Sequence, residues 1–354
     1  MMAGASRRLT AEDFPVSAEA RRRIFADIVD ELDAVVRPQK HPRLVFVVGQ
    51  PASGKSRMLD RIESEAGHPV AQVDSDEMRL WHPDIDRIVA ADPHRMDVLS
   101  NSPVGEWMSA AIAHCRTGRY DVVVENTLTA PEQVAATIGD FHDAGYRVEI
   151  VALATPGEVS RLGIATRYLD GVDNDRFARW TSRLSHDRAY AGMVTGLVAL
   201  DGSVDRVRVY TRDVECVYDG TGCVSASEAV IAARGMPWSD ETREAYRRDY
   251  VRMVSRLSDP GMLTATTAPL VADIISDGQR VLSAAELPDG HVQARGLVHA
   301  VIAGTAAGGA PRASDVIPRR RRTGVVRTDH DRVETSGPVS MEYRRSLGEP
   351  DTGL

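Results

Sequence analysis

The chain has 354 residues, of which 43% are hydrophobic and 27% are charged, a balance that argues against disordered and membrane-embedded proteins. A formal net charge of -8 gives no basic footprint for nucleic acid, and no run approaches the roughly twenty apolar residues that span a membrane. The first residues lack the apolar run of a secretory signal, and three cysteines without CxxC spacing predict neither disulfides nor a zinc site, so we expect a cytoplasmic protein.

Strands and helices alternate along the first part of the chain. An amphipathic helix is predicted over 17–36, and helical patterns recur over 56–65, 108–115 and 131–144. Apolar runs of strand length cover 43–48, 70–73, 120–124, 148–154 and 207–210. Alternation of this kind predicts βαβ units, that is, an α/β fold with a parallel sheet flanked by helices. Ligands of such sheets bind beyond the carboxyl ends of the strands.

The first predicted strand leads directly into a phosphate-binding loop of the GxxxxGK[ST] type. The loop reads Gly49-Gln50-Pro51-Ala52-Ser53-Gly54-Lys55-Ser56. Backbone N–H groups of such a loop hold phosphates, its lysine reaches the β and γ phosphates, and its hydroxyl ligates magnesium. The chain contains only one other lysine, which argues against a chance match. We therefore predict ATP and Mg²⁺ as ligands and a P-loop kinase fold, against the alternative of a glycine turn that binds nothing.

Carboxylates follow two of the predicted strands and are candidates for the remaining chemistry. A kinase that acts on a hydroxyl needs a base beside the acceptor. Asp76 is favoured over Asp74 for this role, although either could instead cap the helix that begins near Glu77. Glu125 and Thr127 follow the third strand, and Glu125 could bind substrate hydroxyls, order magnesium through water, or cap the helix at 131.

Two arginines are candidates for stabilising the transferred phosphoryl group. Arg167 and Arg179 bracket a polar stretch over 170–175, a layout similar to the lid of a small kinase, and guanidinium groups bind phosphate in bidentate fashion. Because arginine is abundant in this chain, position alone does not separate these two from ordinary surface residues.

The last third of the chain has a different composition. Helical patterns over 242–257, 270–282 and 298–301 predict a helical appendage. From about residue 306 the chain is rich in Gly, Pro and Arg and lacks apolar periodicity, which predicts a disordered tail. We divide the chain into an N-terminal helical segment (1–40), a P-loop kinase domain (41–222), the appendage (223–305) and the tail (306–354).

Six motifs between Leu44 and Asp219 resemble the zeta toxin family of bacterial toxin–antitoxin systems. In order they are VGQPASGKS, VDSDEMRLWHP, VVVENT, ATRY, FARWTSRLSHD and VYTRDVECVYD. The resemblance implies a P-loop kinase that uses ATP to phosphorylate a nucleotide sugar, the 3′-hydroxyl of UDP-N-acetylglucosamine. It also implies a small helical antitoxin as a protein partner.

The resemblance assigns roles to individual positions. It makes Lys55 and Ser56 nucleotide-binding residues and Asp76 the base. It implies that Arg167 and Arg179 are the two transition-state cations. It also implies three contacts to the nucleotide sugar, from Glu125, Thr127 and Thr137.

Two positions depart from the family pattern, and both concern the acceptor. Ser109 stands where the family commonly has a glutamate, with Glu106 one turn earlier, and Asn126 replaces the glycine of the usual E-G-T. A P-loop kinase for another small molecule, such as an antibiotic, nucleoside or dinucleotide, therefore remains an alternative. A second alternative is a non-catalytic ATP-binding module whose working surface lies in 225–301.

Overall fold

A six-stranded sheet forms the centre of the computed structural model, which describes residues 8–174, 178–259 and 261–306. The strands are β1 (Arg43–Val48), β2 (Ala71–Val73), β3 (Val122–Asn126), β4 (Arg147–Leu153), β5 (Arg206–Tyr210) and β6 (Cys216–Gly220). Their order in the sheet is β2-β3-β1-β4-β5-β6. Strands β1 to β5 pair in parallel, and β6 pairs antiparallel with β5.

Thirteen α-helices are present in the described part of the chain. They are α1 (Ala18–Val35), α2 (Lys55–Ala66), α3 (Ser75–Leu80), α4 (Ile85–Ala91), α5 (Met96–Leu99), α6 (Asn101–Gly118), α7 (Pro131–Asp143), α8 (Gly157–Asp173), α9 (Arg183–Ala199), α10 (Cys223–Arg234), α11 (Asp240–Ser255), α12 (Ala268–Val281) and α13 (His291–Ala306). Among these residues no helix combines the length and the apolar character needed to cross a bilayer.

Strand β1 shows why the sheet is buried on both faces. Alternate side chains of a strand point to opposite faces. Leu44, Phe46 and Val48 pack into one apolar cluster, while Val45 and Val47 pack into another with the α2 helix. All five are at most 2% exposed, so a nearly continuous apolar run marks a strand with helices on both sides.

The α/β prediction with a parallel sheet is confirmed, but both predicted bounds of strand β3 were wrong. Strand β3 begins and ends two residues later than the predicted 120–124, because Leu44 pairs with Val122 and Val48 with Asn126. Glu125 consequently lies within the strand and not beyond it.

Several elements were absent from the sequence-based prediction. They include the edge strand β6 and the helices α4, α5, α8, α9 and α10. In α8, eight of seventeen residues are buried, including the small residues Gly157, Ser160 and Ala165. A helix that is buried on most sides carries no clear polar stripe, so its periodicity is weak.

Two main hydrophobic clusters divide the packing of the chain. The first covers one face of the sheet, whereas the second joins α8 to the C-terminal helices α11, α12 and α13. Tyr168 of α8 and Tyr250 of α11 both belong to this second cluster, which we call the C-terminal core. The proposed domain boundaries stay a prediction, and the predicted tail beyond 306 lies outside the described residues.

Candidate active site

A cavity of about 400 Å³ opens at the carboxyl ends of β1, β2 and β3. This is the edge at which parallel α/β sheets bind ligands. Its walls come from the phosphate loop, the turn after β2, the end of β3, and helices α8 and α9. The charged or hydroxyl side chains that line it include Lys55, Asp74, Asp76, Arg79, Asp97, Glu125, Thr127, Thr129, Arg167, Arg179 and Arg188.

The phosphate loop has a backbone that only certain residues tolerate. Gly54, immediately before α2, adopts φ +99°, and Ala52 also has a positive φ of 60°. Glycine reaches such angles without the steric cost that a side chain brings. Thr155 donates a 2.7 Å hydrogen bond to the Ser53 carbonyl, which ties the loop to the segment after β4. This hydrogen bond helps to hold the loop in shape.

Gln50 anchors the loop from inside the protein. Its side chain is fully buried, and its amide donates to the Thr155 carbonyl at 2.8 Å and to Ser160 Oγ at 3.1 Å. Arg234, at the end of α10, donates to Gln50 Oε1 at 3.2 Å. The sequence alone did not single out Arg234, since nothing local connects it to a loop so far away in the chain.

The two candidate bases, Asp74 and Asp76, have different structural roles in the turn after β2. Asp74 caps α3, and its Oδ1 accepts a 3.0 Å hydrogen bond from the Asp76 backbone N–H. The capping alternative therefore applies to Asp74 and not to Asp76. The Asp76 carboxylate forms an ion pair with Arg179 and lies 3.7 Å from Arg79 Nη1.

Glu125 faces the lysine of the phosphate loop. Lys55 Nζ lies 3.5 Å from Glu125 Oε2, and both side chains are about 15% exposed. The residue at the N-cap of α7 is Ala130, so Glu125 does not cap that helix. Asn126 Oδ1 instead accepts a 2.7 Å hydrogen bond from Leu128 N–H and shapes the following turn.

The two aspartates of the turn have opposite pKa shifts. Burial, together with the nearby charges of Asp76 and Glu125, raises the pKa of Asp74 to about 7. Burial also disfavours ionised Asp76, but Arg179 and three further cations outweigh burial and lower the pKa of Asp76 to about 2. At neutral pH Asp76 is a carboxylate held by cations.

Arg167 approaches the same carboxylate from α8. Burial and the neighbouring charge of Arg179 lower its pKa to about 10, which leaves it charged at neutral pH. Its Nη2 donates a long 3.4 Å hydrogen bond to Thr181, and its buried Nε has no partner among the described residues. The guanidinium group is therefore incompletely paired beside the cavity.

The structure also places residues that sequence reasoning had not selected. Arg79 donates a 2.8 Å hydrogen bond to the Ser75 carbonyl and lies one helical turn after Asp76, a spacing that could have identified it. Arg188 lies on α9, a helix that was not predicted, so no signal pointed to it.

Three residues connected with the acceptor are not among the described residues that line the cavity. Thr137 lies on α7 and donates its hydroxyl to the Gln133 carbonyl at 3.1 Å. On α6, Ser109 donates to the Gly105 carbonyl. Glu106 accepts a hydrogen bond from Arg21 at 2.8 Å. The role implied for Thr137 stays a prediction.

A family model described as Zeta toxin matches residues 27–222, just over half of the chain. The chain belongs to the zeta toxin family. Zeta toxins are kinase-like phosphotransferases of toxin–antitoxin systems. The zeta toxin match includes every residue that lines the cavity and ends just before α10, so helices α10 to α13 lie outside it.

Curated relatives carry the same family name. "Toxin zeta" of Enterococcus hirae is 28% identical over 208 residues, which cover 57% of this chain and 72% of that protein. "Toxin PezT" of Streptococcus pneumoniae is 24% identical over 212 residues, which cover 59% of this chain and 84% of the relative. A solved structure from a study of the PezAT chromosomal toxin-antitoxin system of Streptococcus pneumoniae superposes with a TM-score of 0.61 at 20% identity. It covers 70% of this chain and 100% of its own, and it supports the zeta toxin fold.

Proposed function

We propose that this zeta toxin family member transfers the γ-phosphoryl group of ATP to a hydroxyl of a nucleotide sugar, with the 3′-hydroxyl of UDP-N-acetylglucosamine as the expected acceptor. One observation carries the proposal: a cavity at the phosphate loop brings a carboxylate, Asp76, together with the cations Lys55, Arg167 and Arg179. A kinase acting on an alcohol needs this combination of base and phosphate-binding charge.

The phosphate side of the cavity fits MgATP. The loop from Gly49 to Ser56 would hold the phosphates through its backbone and Lys55. The Ser56 hydroxyl is a hard oxygen donor of the kind that Mg²⁺ prefers, and the Glu125 carboxylate would order the metal through water. Mg²⁺ takes only one or two protein ligands beside ATP, so this small donor set suffices. When bound, the metal would neutralise charge on the β and γ phosphates.

The cations of the cavity would change partners when ATP binds. Lys55 and Arg179 now face the carboxylates of Glu125 and Asp76. The γ-phosphate would draw these cations, and Arg167 with them, toward itself. Asp76 would lose part of the charge that depresses its pKa and would become a better base. The protein would thus activate its base only when the phosphoryl donor is present.

This geometry supports a bond exchange at the γ-phosphorus. The acceptor oxygen forms a bond to the γ-phosphorus as the bond to the β-phosphate oxygen breaks, and ADP leaves. The hydroxyl proton passes to the Asp76 carboxylate. Phosphoryl transfer develops charge on the equatorial oxygens, where Lys55, Arg167 and Arg179 would stabilise it.

The acceptor side offers groups that suit a sugar. Glu125 and Thr127 line the cavity, and their carboxylate and hydroxyl groups can pair with sugar hydroxyls. Thr129 adds a further hydroxyl, 3.2 Å from that of Thr127. Thr137 is kept as a proposed contact on the family resemblance alone.

A protein partner is part of the proposal. The solved relative comes from a study of a toxin-antitoxin system, and the family takes its name from a toxin. We therefore propose that a small helical antitoxin binds this chain and that the pair works in the cytoplasm, where ATP and nucleotide sugars are found.

The test is mass spectrometry of candidate acceptors incubated with the full chain and MgATP. The panel would contain UDP-N-acetylglucosamine, UDP-glucose, a nucleoside and an aminoglycoside. We expect one added phosphoryl group on UDP-N-acetylglucosamine. Phosphorylation of another acceptor would correct the substrate, and binding of ATP without transfer to any acceptor would favour a non-catalytic module.

A further inference from the structure

Both proposed transition-state arginines are followed directly by an aromatic residue that packs into the C-terminal core. Tyr168 follows Arg167, and Trp180 follows Arg179. The two rings meet edge to face with centroids 5.6 Å apart, and both side chains are buried. His94 completes the contact, at 5.2 Å from Tyr168 and 6.1 Å from Trp180. The positions of the two arginines are thus coupled through one aromatic cluster.

The far side of this cluster is built by helices that lie outside the family match. Helices α11, α12 and α13 supply most of the C-terminal core. They pack against α8, the helix that carries Arg167. The contributing side chains are Tyr246, Tyr250, Met253, Val254, Leu270, Val271, Ile274, Ile275, Ala294 and Val298. Most of them are nearly or fully buried, so α8 has little freedom to shift unless this packing is lost.

Ion pairs fix both ends of α8 to the same helices. Near its start, Arg161 Nε lies 2.7 Å from Asp277 Oδ2 of α12, and these side chains are only 17% and 5% exposed. Near its end, Arg252 of α11 bridges Asp170 at 2.6 Å and Asp173 at 2.7 Å. Attachment at two ends fixes the rotation of a helix as well as its position.

The C-terminal region also reaches the phosphate loop. Arg234 donates to Gln50 Oε1 and, at 2.9 Å, to the Tyr190 carbonyl, and its guanidinium carbon lies 3.7 Å from the centre of the Tyr190 ring. The region from α10 to α12 therefore contacts the phosphate loop, α8, α9 and Trp180, which follows Arg179.

We infer that helices α10 to α12 are a positioning scaffold for the phosphoryl-transfer cations, in which Asp277 and Arg252 act as positioning residues for Arg167 and Arg179. The inference rests on the proposed kinase function. Cations that act mainly on the transition state affect kcat more than substrate binding, and a small displacement of such groups is costly. The scaffold should therefore control turnover while ATP affinity stays nearly constant.

Two variants test the scaffold from opposite ends of α8. Asp277→Asn leaves Arg161 without its ionic partner. Arg252→Gln removes the ion pairs with Asp170 and Asp173 at the other end, where only the pair between Arg256 and Asp173 remains among the described residues. Arg206→Gln is the matched control, since Arg206 pairs with Asp219 at 2.6 Å on the sheet edge. Thermal melts followed by circular dichroism would confirm that all three variants are folded at the assay temperature.

The kinetic readout is kcat beside the affinity for a non-hydrolysable ATP analogue, measured by calorimetry. We expect about a tenfold loss of kcat in Asp277→Asn and Arg252→Gln with analogue affinity within about twofold, and no change in the control. An unchanged kcat, or equal losses of kcat and affinity, would overturn the inference.

Amide hydrogen exchange separates failure of this inference from failure of the proposed function. If the unsubstituted chain phosphorylates no acceptor, the proposed function has failed, yet the scaffold can still be tested. Faster exchange along α8 and over 178–182 in Asp277→Asn, but not in Arg206→Gln, would support the scaffold. Unchanged exchange in both segments would overturn it.

Discussion

Arg179 and Asp76 form an ion pair inside the cavity, although they are far apart in the chain. The pair brings the proposed base into contact with a cation that phosphate would also attract. The cavity therefore contains the carboxylates and cations that the proposed phosphoryl transfer requires, paired with each other.

Arg179→Ala should raise the pKa of Asp76 from its value of about 2, because Arg179 is the leading cation that lowers it. Because folding lowers the pKa of Asp76, the ionised carboxylate stabilises the folded protein fully above pH 3.8, and this stabilisation is lost as pH falls toward about 2. The variant should therefore have a lower free energy of unfolding at neutral pH. Phosphoryl transfer should fall by roughly a hundredfold or more. Carboxyl carbon NMR and kcat check the two effects, and an unchanged Asp76 titration would contradict the assignment.

Asp74→Asn should stabilise the protein in a pH-dependent way. The pKa of Asp74 is about 7 in the folded protein and 3.8 ordinarily, so the folded chain keeps a proton that the unfolded chain loses as pH rises between these values. The asparagine avoids this loss and still accepts the bond from Asp76 N–H. Near pH 4 we expect little gain in the free energy of unfolding, and near pH 8 a gain on the order of 1 kcal/mol or more.

Urea denaturation at a series of pH values measures this effect. Asp60→Asn, on an exposed part of α2, is the control. A gain from Asp74→Asn that does not grow with pH would show that folding does not raise the pKa of Asp74.

Lys55→Ala should abolish ATP binding, because it removes the ammonium group placed to reach the β and γ phosphates. The chain offers a matched control in Lys40→Ala, which removes the only other lysine, at an exposed position. Calorimetry with ATP should show binding in the control and none in Lys55→Ala at equal concentration. Equal affinities would contradict the assignment of the phosphate loop.

Gly54→Ala should destabilise the chain and remove nucleotide binding. An alanine there would be held at φ +99°, and its methyl group would displace the end of the Arg212 side chain. Gly67→Ala, at the other end of α2, is the control: φ is +71°, but the space is open. Each substitution should cost about 1 kcal/mol of stability, because an L-residue is strained in the left-handed region, and only Gly54→Ala should lose ATP. Equal ATP affinities in the two variants would show that ATP binding does not depend on the loop conformation at Gly54.

The parts of this molecule that are encoded locally could be predicted from the sequence. The strand before Gly49 and the phosphate loop were found because a buried apolar run and a short motif lie side by side. Helix α8 was missed because burial on most sides removes its periodicity. The contact between Arg234 and Gln50 could not be predicted, because it depends on how α10 packs and on no local pattern.

Phosphoryl transfer by matched Asp76→Asn and Asp74→Asn variants tests the central claim most directly. Each would be incubated with MgATP and UDP-N-acetylglucosamine, with product followed by mass spectrometry and ATP affinity by calorimetry. We predict that Asp76→Asn loses transfer by roughly a hundredfold or more while it still binds ATP, and that Asp74→Asn, whose side chain is a helix cap, retains most activity. Retained transfer in Asp76→Asn, or a comparable loss in both variants, would contradict the role of Asp76 as the base.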